Sequence, residues 1–328
     1  MNDSPPCLFA LHATRAWGEA VAAYLDTPLA PLEEREFEDG EHKSRPLAGV
    51  RGRDVYVLQS LYGEDTAGVD TKLCRLLFFV GVLKDAGAAS VTAVLPYLAY
   101  ARKDRRTQPR DPVTTRYVAA LLEAVGTDRV LTLDVHNLAA YENAFRCPAE
   151  HLEATGLFAH HFAGIVGDAP VVVVSPDAGG IKRAEQFRLR LAAVLGRPVA
   201  AAFVEKHRSG EVVRGELVVG DIAGRCAIVF DDLIASGTTI ARSVAACRGQ
   251  GATAVYAAAT HGLFNGAAAQ VLADPALTGI VVTDTVPPFR LPAGAVRAKL
   301  QVLPTAPLFA EAIRRIHAGG SLNELLAQ

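Results

Sequence analysis

Two adjacent acids followed by a turn of small residues are the pattern in this sequence that most directly suggests chemistry. In AIVFDDLIASGTT, Ala227–Thr239, the residues Asp231 and Asp232 follow an apolar run, and the turn Ala235–Thr239 comes next. The run predicts a strand that ends at Phe230, and ligands of open α/β sheets bind at the carboxyl ends of strands. The turn leads into a predicted helix, whose N-terminal amides form an anion site. We therefore expect a sugar phosphate, with its phosphate on the turn and its hydroxyls on the acids.

A purely structural explanation of the turn is that Ser236 caps the helix. Capping accounts for one serine, but it gives no reason for two acids that we expect to be exposed after a buried strand. The residues expected to bind the sugar phosphate are Asp231, Asp232, Ala235, Ser236, Gly237, Thr238 and Thr239.

A dense group of cations follows another predicted strand. PYLAYARKDRR, Pro96–Arg106, contains Arg102, Lys103, Arg105 and Arg106. The group could be a solvated basic face or a nucleic-acid patch, but the chain has 33 Lys and Arg against 35 Asp and Glu, with a formal net charge of −2. Nucleic-acid-binding domains usually carry a strong basic excess. A pocket for a small polyanion is therefore preferred, because the guanidinium fork of arginine matches phosphate oxygens.

Acidic and histidine side chains follow two further predicted strands. Asp134 and His136 come after the predicted strand Val130–Leu133, and their spacing of two predicts that both project to the same side. Asp177 ends the apolar run VVVVSPD and precedes two glycines. A histidine with a purely structural role is the alternative at His136.

A charged segment follows the strand that we predict to end at Val204. It contains Lys206, His207 and Arg208 and then a Ser-Gly pair. This composition predicts a mobile surface lid that could close over a ligand. A hydrated hairpin is the alternative.

The elements that must position these residues follow a simple alternation. Short Val-rich runs alternate with helix-length segments, which is typical of strands buried on both faces of a parallel sheet. Two of the predicted crossover helices are Arg183–Leu195 and Thr239–Arg248. The expected fold class is α/β with mostly parallel sheets flanked by helices. The predicted strands are Val55–Gln59, Ser90–Leu95, Val130–Leu133, Val171–Ser175, Val199–Val204, Ala227–Phe230, Ala254–Ala259 and Ile280–Thr283.

The two halves of the chain resemble each other. Arg51–Leu58 resembles Ala223–Phe230, and Lys84–Tyr100 resembles Arg248–Phe264. Each half is therefore predicted to contain, in order, a strand, a loop, a helix, a Gly-Ala pair and a second strand. This indicates two related domains, with chance similarity of two α/β units as the alternative. The first copy has Gln59–Gly63 where the second has its acids and turn, so the ligand-binding pattern belongs to the second domain.

Length and composition limit the class of protein. A chain of 328 residues suggests about two domains, and we expect the boundary near Pro148–Thr155. The last predicted helix, Ala306–Ile316, is expected to pack back on the first domain. The five cysteines are scattered without a CxxC pair, so neither a zinc site nor a disulfide framework is predicted. No signal peptide and no membrane span are expected, which fits a cytoplasmic protein.

Several motifs together resemble one enzyme family. VFDDLIASGTT resembles the ribose-5-phosphate loop of the type I phosphoribosyltransferase fold, which many transferases share. Other segments resemble, in chain order, motifs of the ribose-phosphate pyrophosphokinases: FEDGE, PYLAYARKDRR, LDVHN, SPDAGG, ATHGLFNG and the C-terminal LFAEAIRRIHAGGSLNELL. The resemblance covers nearly the whole chain.

The resemblance implies tandem phosphoribosyltransferase-like domains, at residues 1–152 on the ATP side and 153–304 on the ribose 5-phosphate side, with a C-terminal helix in 305–328. It implies transfer of pyrophosphate from Mg-ATP to the C1 hydroxyl of ribose 5-phosphate. Mg²⁺ is implied at His136 and Asp177, and catalytic roles at His136, Lys206 and Arg208. A homo-oligomer, dimer or hexamer, is implied without nucleic acid or membrane as a partner. The residues implied to bind ATP are Phe37, Asp39, Glu41, Arg102, Lys103, Asp104 and Arg105.

Two other functions remain open from the sequence. A phosphoribosyltransferase that consumes phosphoribosyl pyrophosphate would explain only the second half of the chain. A regulatory relative without activity would be expected to lose ligand or lid residues, and here they are present. Ala235, Thr238 and Lys103 depart from the common family pattern, so the preferred sugar phosphate is not fixed by the resemblance.

Overall fold

The structure is a computed structural model that describes the main chain at residues 5–209 and 212–326. Side chains are described over the same ranges, apart from those of 206–217 and 326. The chain divides into two compact units. The first contains Met1–Glu153 and Thr305–Gln328, and the second contains Ala154–Pro304.

Strands and helices alternate along most of the chain. The strands are β1 Cys7–Ala10, β2 Leu32–Glu36, β3 His42–Pro46, β4 Asp54–Leu58, β5 Ser90–Leu95, β6 Arg129–Leu133, β7 Ala149–Leu152, β8 Val171–Ser175, β9 Ala200–Ser209, β10 Val212–Val219, β11 Cys226–Ile234, β12 Ala254–Gly262, β13 Gly279–Thr283 and β14 Leu300–Leu303. The helices are α1 Arg15–Leu25, α2 Val69–Asp85, α3 Thr114–Ala124, α4 Leu138–Ala144, α5 Thr155–Val166, α6 Ile181–Leu195, α7 Thr238–Gly249, α8 Ala268–Val271, α9 Ala295–Ala298, α10 Ala306–Ala318 and α11 Asn323–Leu326.

The first unit is built on a five-stranded parallel sheet in the order β1-β4-β5-β6-β7. Its central strands are almost fully buried, because helices cover a parallel sheet on both faces. Phe9 of β1 and Phe79 of α2 meet edge to face in this core, with ring centroids 5.3 Å apart. The strands β2 and β3 form a separate antiparallel hairpin.

The C-terminal helix α10 belongs to the first unit and packs on α1. The indole N–H of Trp17 donates to Thr305 Oγ1 at 3.0 Å, and the Trp17 ring meets Phe309 edge to face with centroids 5.0 Å apart. These contacts bury one face of α10, on which Phe309 and Ile313 are fully enclosed.

The second unit is built on a seven-stranded sheet in the order β10-β9-β8-β11-β12-β13-β14. All neighbouring strands are parallel except β9 and β10, which form an antiparallel pair. The sheet core contains Phe230 stacked on Phe187 of α6, with ring centroids 4.3 Å apart. Both main sheets are therefore wholly or mostly parallel, as the Val-rich runs predict.

Three predicted strand ends are wrong by three residues or more, and one of them is that of β12, which runs to Gly262 instead of ending at Ala259. β11 runs to Ile234 instead of ending at Phe230, and β9 runs to Ser209 instead of ending at Val204. Each strand continues because a neighbour extends beside it, and the partners are β12 for β11 and β10 for β9.

Two further properties bear on the predictions from composition. The cysteines are free thiols. Within the residues that the structure describes, no helix has both the length and the apolar character needed to span a membrane.

Candidate functional site

The acid pair lies inside β11, in the second unit. Asp231 is half-buried, while Asp232 is only 3% exposed. The prediction that both acids are exposed is therefore wrong for Asp232, because alternation along the extended strand turns its side chain toward the protein interior. A buried carboxylate needs compensating partners.

Arg183 of α6 supplies that compensation. Its Nη1 atom lies 3.1 Å from Oδ1 of Asp231 and 3.2 Å from Oδ1 of Asp232. The Oδ1 atom of Asp231 also accepts the main-chain N–H of Asp232 at 2.9 Å. Burial and the charge of Asp232 raise the pKa of Asp231 to about 8, and Arg183 opposes this rise.

Sequence reasoning missed Arg183. A usable signal was present, since β8 leads into α6 and the strands β8 and β11 are parallel neighbours. The start of a helix that follows one strand lies at the same sheet edge as the end of its parallel neighbour. A basic residue early in α6 is therefore placed to reach an acid near the end of β11.

The turn after β11 has the form expected of an anion site. α7 begins at Thr238, and its N-cap residue is Gly237, with φ 78° and no side-chain cap. Ser236 is not the N-cap residue, although its Oγ accepts the main-chain N–H of Thr238 at 3.5 Å and lies 3.0 Å from Thr238 Oγ1 on the exposed side of the turn. Glycine is favoured at position 237 for two reasons. The φ angle is positive, and a Cβ there would lie 2.7 Å from Cγ of Leu272.

The ATHGLFNG motif supports this turn from the neighbouring strand. The main-chain N–H of Asn265 donates to the carbonyl of Ala235 at 2.9 Å. The N–H groups of Leu263 and Phe264 both donate to the carbonyl of Ile234, at 2.9 and 3.0 Å. The predicted phosphate-binding residues Ala235–Thr239 are thus held in one continuous turn, in which Ala235 and Thr239 are partly buried and Ser236 and Thr238 exposed.

Asp177 lies in the turn between β8 and α6. β8 ends at Ser175, so Asp177 is not part of the strand. Its Oδ1 accepts the main-chain N–H of Gly180 at 3.0 Å, and Ser175 Oγ donates to the Asp177 carbonyl at 2.6 Å. This carboxylate therefore has a capping role, and its predicted role as a metal ligand remains a prediction.

The basic segment of the first unit is an irregular loop after β5. The side chains of Arg102, Lys103 and Arg105 are exposed, and Asp104 is partly buried. Thr115 of α3 fixes the loop, because its hydroxyl donates to the carbonyl of Tyr100 at 3.0 Å.

Asn137 joins this loop to the LDVHN motif. Its Nδ2 donates to Asp104 Oδ2 at 2.7 Å, while its Oδ1 accepts the main-chain N–H of Ala140 and so caps α4. No role was predicted for Asn137 from the sequence. The structure thus brings two separately predicted motifs of the first unit together.

Asp134 and His136 differ in environment. β6 ends at Leu133, and Asp134 has a φ of 41°, so the extended alternation assumed in the prediction stops there. Asp134 is buried and His136 is exposed. The prediction that both side chains project to the same side therefore rested on strand geometry that this segment lacks.

The FEDGE residues form the tip of the β2–β3 hairpin. The N–H of Phe37 donates to the carbonyl of Glu41 at 2.8 Å, and the N–H of Glu41 donates to Asp39 Oδ1 at 3.1 Å. Gly40 has a φ of 86°, which closes the turn. Phe37 is exposed, with the Arg35 guanidinium 4.9 Å from its ring centroid.

The main chain of Lys206 and Arg208 lies in β9, but their side chains are outside the described residues. Among the side chains that are described, no group of three or more His, Cys, Asp or Glu residues is placed to hold a metal ion.

Comparison with known proteins assigns the family. A model described as the N-terminal domain of ribose phosphate pyrophosphokinase matches residues 6–126, and one described as the phosphoribosyl synthetase-associated domain matches residues 214–327. A ribose-phosphate pyrophosphokinase of Caldanaerobacter subterraneus is 39% identical over 93% of this chain and 92% of its own length. Ribose-phosphate pyrophosphokinase 1 of Streptococcus agalactiae is 37% identical over 99% of this chain and 98% of its own.

A solved structure agrees with these relatives. The phosphoribosylpyrophosphate synthetase of Mycobacterium smegmatis superposes with a TM-score of 0.85 and 35% identity, covering 97% of this chain and all of that one. The predicted fold of tandem phosphoribosyltransferase-like α/β domains is confirmed by this match. The chain belongs to the ribose-phosphate pyrophosphokinase family.

Proposed function

We propose that this protein transfers pyrophosphate from Mg-ATP to the C1 hydroxyl of ribose 5-phosphate and forms phosphoribosyl pyrophosphate and AMP. The observation that carries the proposal is the acid pair beside the phosphate turn of the second unit, in a chain similar over nearly its whole length to ribose-phosphate pyrophosphokinases. Those relatives favour the kinase over a transferase that consumes the product or a regulatory subunit.

The second unit would bind ribose 5-phosphate. The amides at the start of α7 and the hydroxyls of Ser236, Thr238 and Thr239 would hold the 5-phosphate. Asp231 and Asp232 would accept hydrogen bonds from ribose hydroxyls, since a carboxyl group has acceptor oxygens whether it is ionised or protonated. Ala235 contributes through its main chain, so the absence of a longer side chain there does not remove the phosphate site.

The first unit would bind ATP. Arg102, Lys103 and Arg105 would hold the phosphates, and Asp104 would be oriented by Asn137. The hairpin tip with Phe37, Asp39 and Glu41 would hold the adenosine, and His136 would bond the polyphosphate. Each of these roles is part of the proposal.

The donor set suits Mg²⁺ carried mainly by the phosphates of ATP. Mg²⁺ keeps several waters and takes one or two protein ligands. His136 and Asp177 are the residues proposed as ligands of Mg²⁺. When bound, Mg²⁺ would neutralise charge on the β- and γ-phosphate oxygens.

The chain's own residues would position the reactants and stabilise charge. The C1 oxygen forms a bond to the β-phosphorus, the bond from that phosphorus to the bridging oxygen of AMP breaks, and the hydroxyl proton is lost late in the step. Lys206 and Arg208 would stabilise the charge that develops on the transferred group. We extend the proposal to a cytoplasmic homo-oligomer, dimer or hexamer.

The test is a coupled assay of AMP release from Mg-ATP, with and without ribose 5-phosphate. AMP should form only with the sugar phosphate and should fall by at least about a hundredfold in Lys206→Ala, a typical loss for a charge-stabilising group. Lys84→Ala is the matched control, because Lys84 pairs with Asp128 elsewhere in the first unit. No AMP from folded protein that binds both ligands would reject the kinase function.

A further inference from the structure

Arg183 lies where two elements of the second unit converge. It is in the first turn of α6, which follows β8, and the parallel neighbour of β8 is β11. Val174 of β8 pairs with Val229 of β11, so the start of α6 and the acid pair lie at the same edge of the sheet. The Arg183 side chain is only 18% exposed.

One nitrogen of Arg183 contacts both acids. The distances from Nη1 to Oδ1 of Asp231 and Oδ1 of Asp232 differ by only a tenth of an ångström. Two adjacent carboxylates repel each other, and a cation between them favours the ionised form of both. The same contact fixes the direction in which each carboxylate group points.

The contact leaves acceptor capacity for a ligand. A carboxylate accepts hydrogen bonds at two oxygens, and Asp231 meets both Arg183 and the N–H of Asp232 through the same oxygen, Oδ1. These two contacts therefore use only one of the two oxygens of Asp231.

A second arginine on the same helix shows a different arrangement. Arg188 makes its two shortest contacts with Glu185, on its own helix, at 2.7 Å each. Such a pair within one helix adds little to stability. Arg183 instead reaches another element and two residues of the proposed sugar site. A buried ion pair is in itself weak evidence for a stabilising role, so a role in ligand binding explains the arrangement better.

We propose that Arg183 is a positioning residue for sugar recognition, which holds the carboxylates of Asp231 and Asp232 oriented to accept the ribose hydroxyls. This inference rests on the proposed function, because it takes ribose 5-phosphate as the ligand. Arg183 would act through the acids, since its contacts described above are with Asp231 and Asp232 of the proposed sugar site. Its loss should therefore affect the sugar and spare phosphate and ATP.

The experiment compares Arg183→Gln with Lys182→Gln, which removes the same charge from the adjacent, exposed position of α6. Calorimetry on the full-length protein measures binding of ribose 5-phosphate, inorganic phosphate and ATP. Arg183→Gln should weaken ribose 5-phosphate binding by about tenfold or more, as for lost hydrogen bonds to charged groups. Phosphate and ATP binding should stay within about twofold, and Lys182→Gln should resemble the wild type.

Two further measurements separate positioning from a general structural role. The KM for ribose 5-phosphate should rise more than kcat falls, since both substrates still bind in the same units. With 2-deoxyribose 5-phosphate, which lacks one hydroxyl, the effect of Arg183→Gln should shrink. Arg183→Lys keeps the charge and should recover part of the affinity, and it replaces Arg183→Gln if that variant does not fold.

Three results would overturn the inference. If the wild type is active and folded Arg183→Gln binds ribose 5-phosphate as the wild type does, the positioning role of Arg183 is rejected. The proposed function is unaffected by that result. An equal loss of phosphate binding would mean that Arg183 only supports the fold of the site. A wild type that binds no ribose 5-phosphate would reject the proposed function and the inference together.

Discussion

Replacing Asp231 by Asn should change how stability depends on pH. The folded protein holds the pKa of Asp231 at about 8, through burial and the charge of Asp232. In the unfolded chain an aspartate titrates near pH 4. Between these values the folded protein binds a proton that the unfolded chain has released. The stability linked to that proton is fully present at low pH and is lost as the pH rises toward 8.

The size of the effect follows from the linkage relation. A full proton difference changes the free energy of unfolding by about 1.4 kcal/mol per pH unit, and the slope halves as the pKa is reached. Between pH 6 and pH 8 the wild type should therefore lose about 2 kcal/mol from this group. For a domain of the size of the second unit, Ala154–Pro304, that is a shift in Tm of roughly 4 to 8 °C. Asn does not titrate, so the free energy of unfolding of Asp231→Asn should lack this pH-dependent contribution.

The assay is thermal unfolding of wild type and variant at pH 6, 7 and 8, with chelator and without ligands. Asp221→Asn is the matched control, because Asp221 is an exposed acid of the same unit that pairs with Arg225. The difference in Tm between Asp231→Asn and wild type should grow with pH in favour of the variant. Parallel pH profiles for the two proteins would refute the raised pKa and the like-charge repulsion behind it.

Two other substitutions test the turn before α7 and the basic loop after β5. Gly237→Ala should destabilise the second unit by about 1 to 2 kcal/mol or more, because of the positive φ and the contact with Leu272. It should also weaken ribose 5-phosphate binding, and an unchanged Tm with unchanged binding would contradict the argument. Asn137→Ala frees Asp104 and removes the cap of α4, so ATP should bind about three- to tenfold more weakly. Calorimetry with ribose 5-phosphate supplies the control, since an equal loss for that ligand would point to misfolding.

The parts of the fold that could be predicted are those whose burial follows a simple pattern. Val171–Ser175 and Ser90–Leu95 have the predicted bounds, because a strand buried on both faces must be apolar at every position. The hairpin of β2 and β3 could not be found in this way. Its strands are LEERE and HKSRP, and they pair through their main chains and surface ions such as Arg45 with Glu33.

The sequence indicates which residue types form the candidate site, and their roles toward a ligand remain predictions. The two acids and the glycine-containing turn predict a sugar phosphate, because few other ligands need both hydroxyl acceptors and an anion site. The burial of Asp232 depends on Arg183, which is distant in sequence and becomes visible only when β8 and β11 are known to be neighbours. Asn137 was hidden for the same reason, since its partner Asp104 lies on a loop after another strand.

The return of α10 to the first unit has a consequence for folding during synthesis. Trp17 packs against Thr305 and Phe309, which the ribosome adds only after the whole of the second unit. At typical rates of translation this delay is roughly ten seconds. The second unit is continuous in sequence and can fold as soon as it emerges, whereas the first unit must wait with one face of α1 uncovered. Although its strands are made first, the first unit is expected to be the last to complete its core and the one that depends more on chaperones.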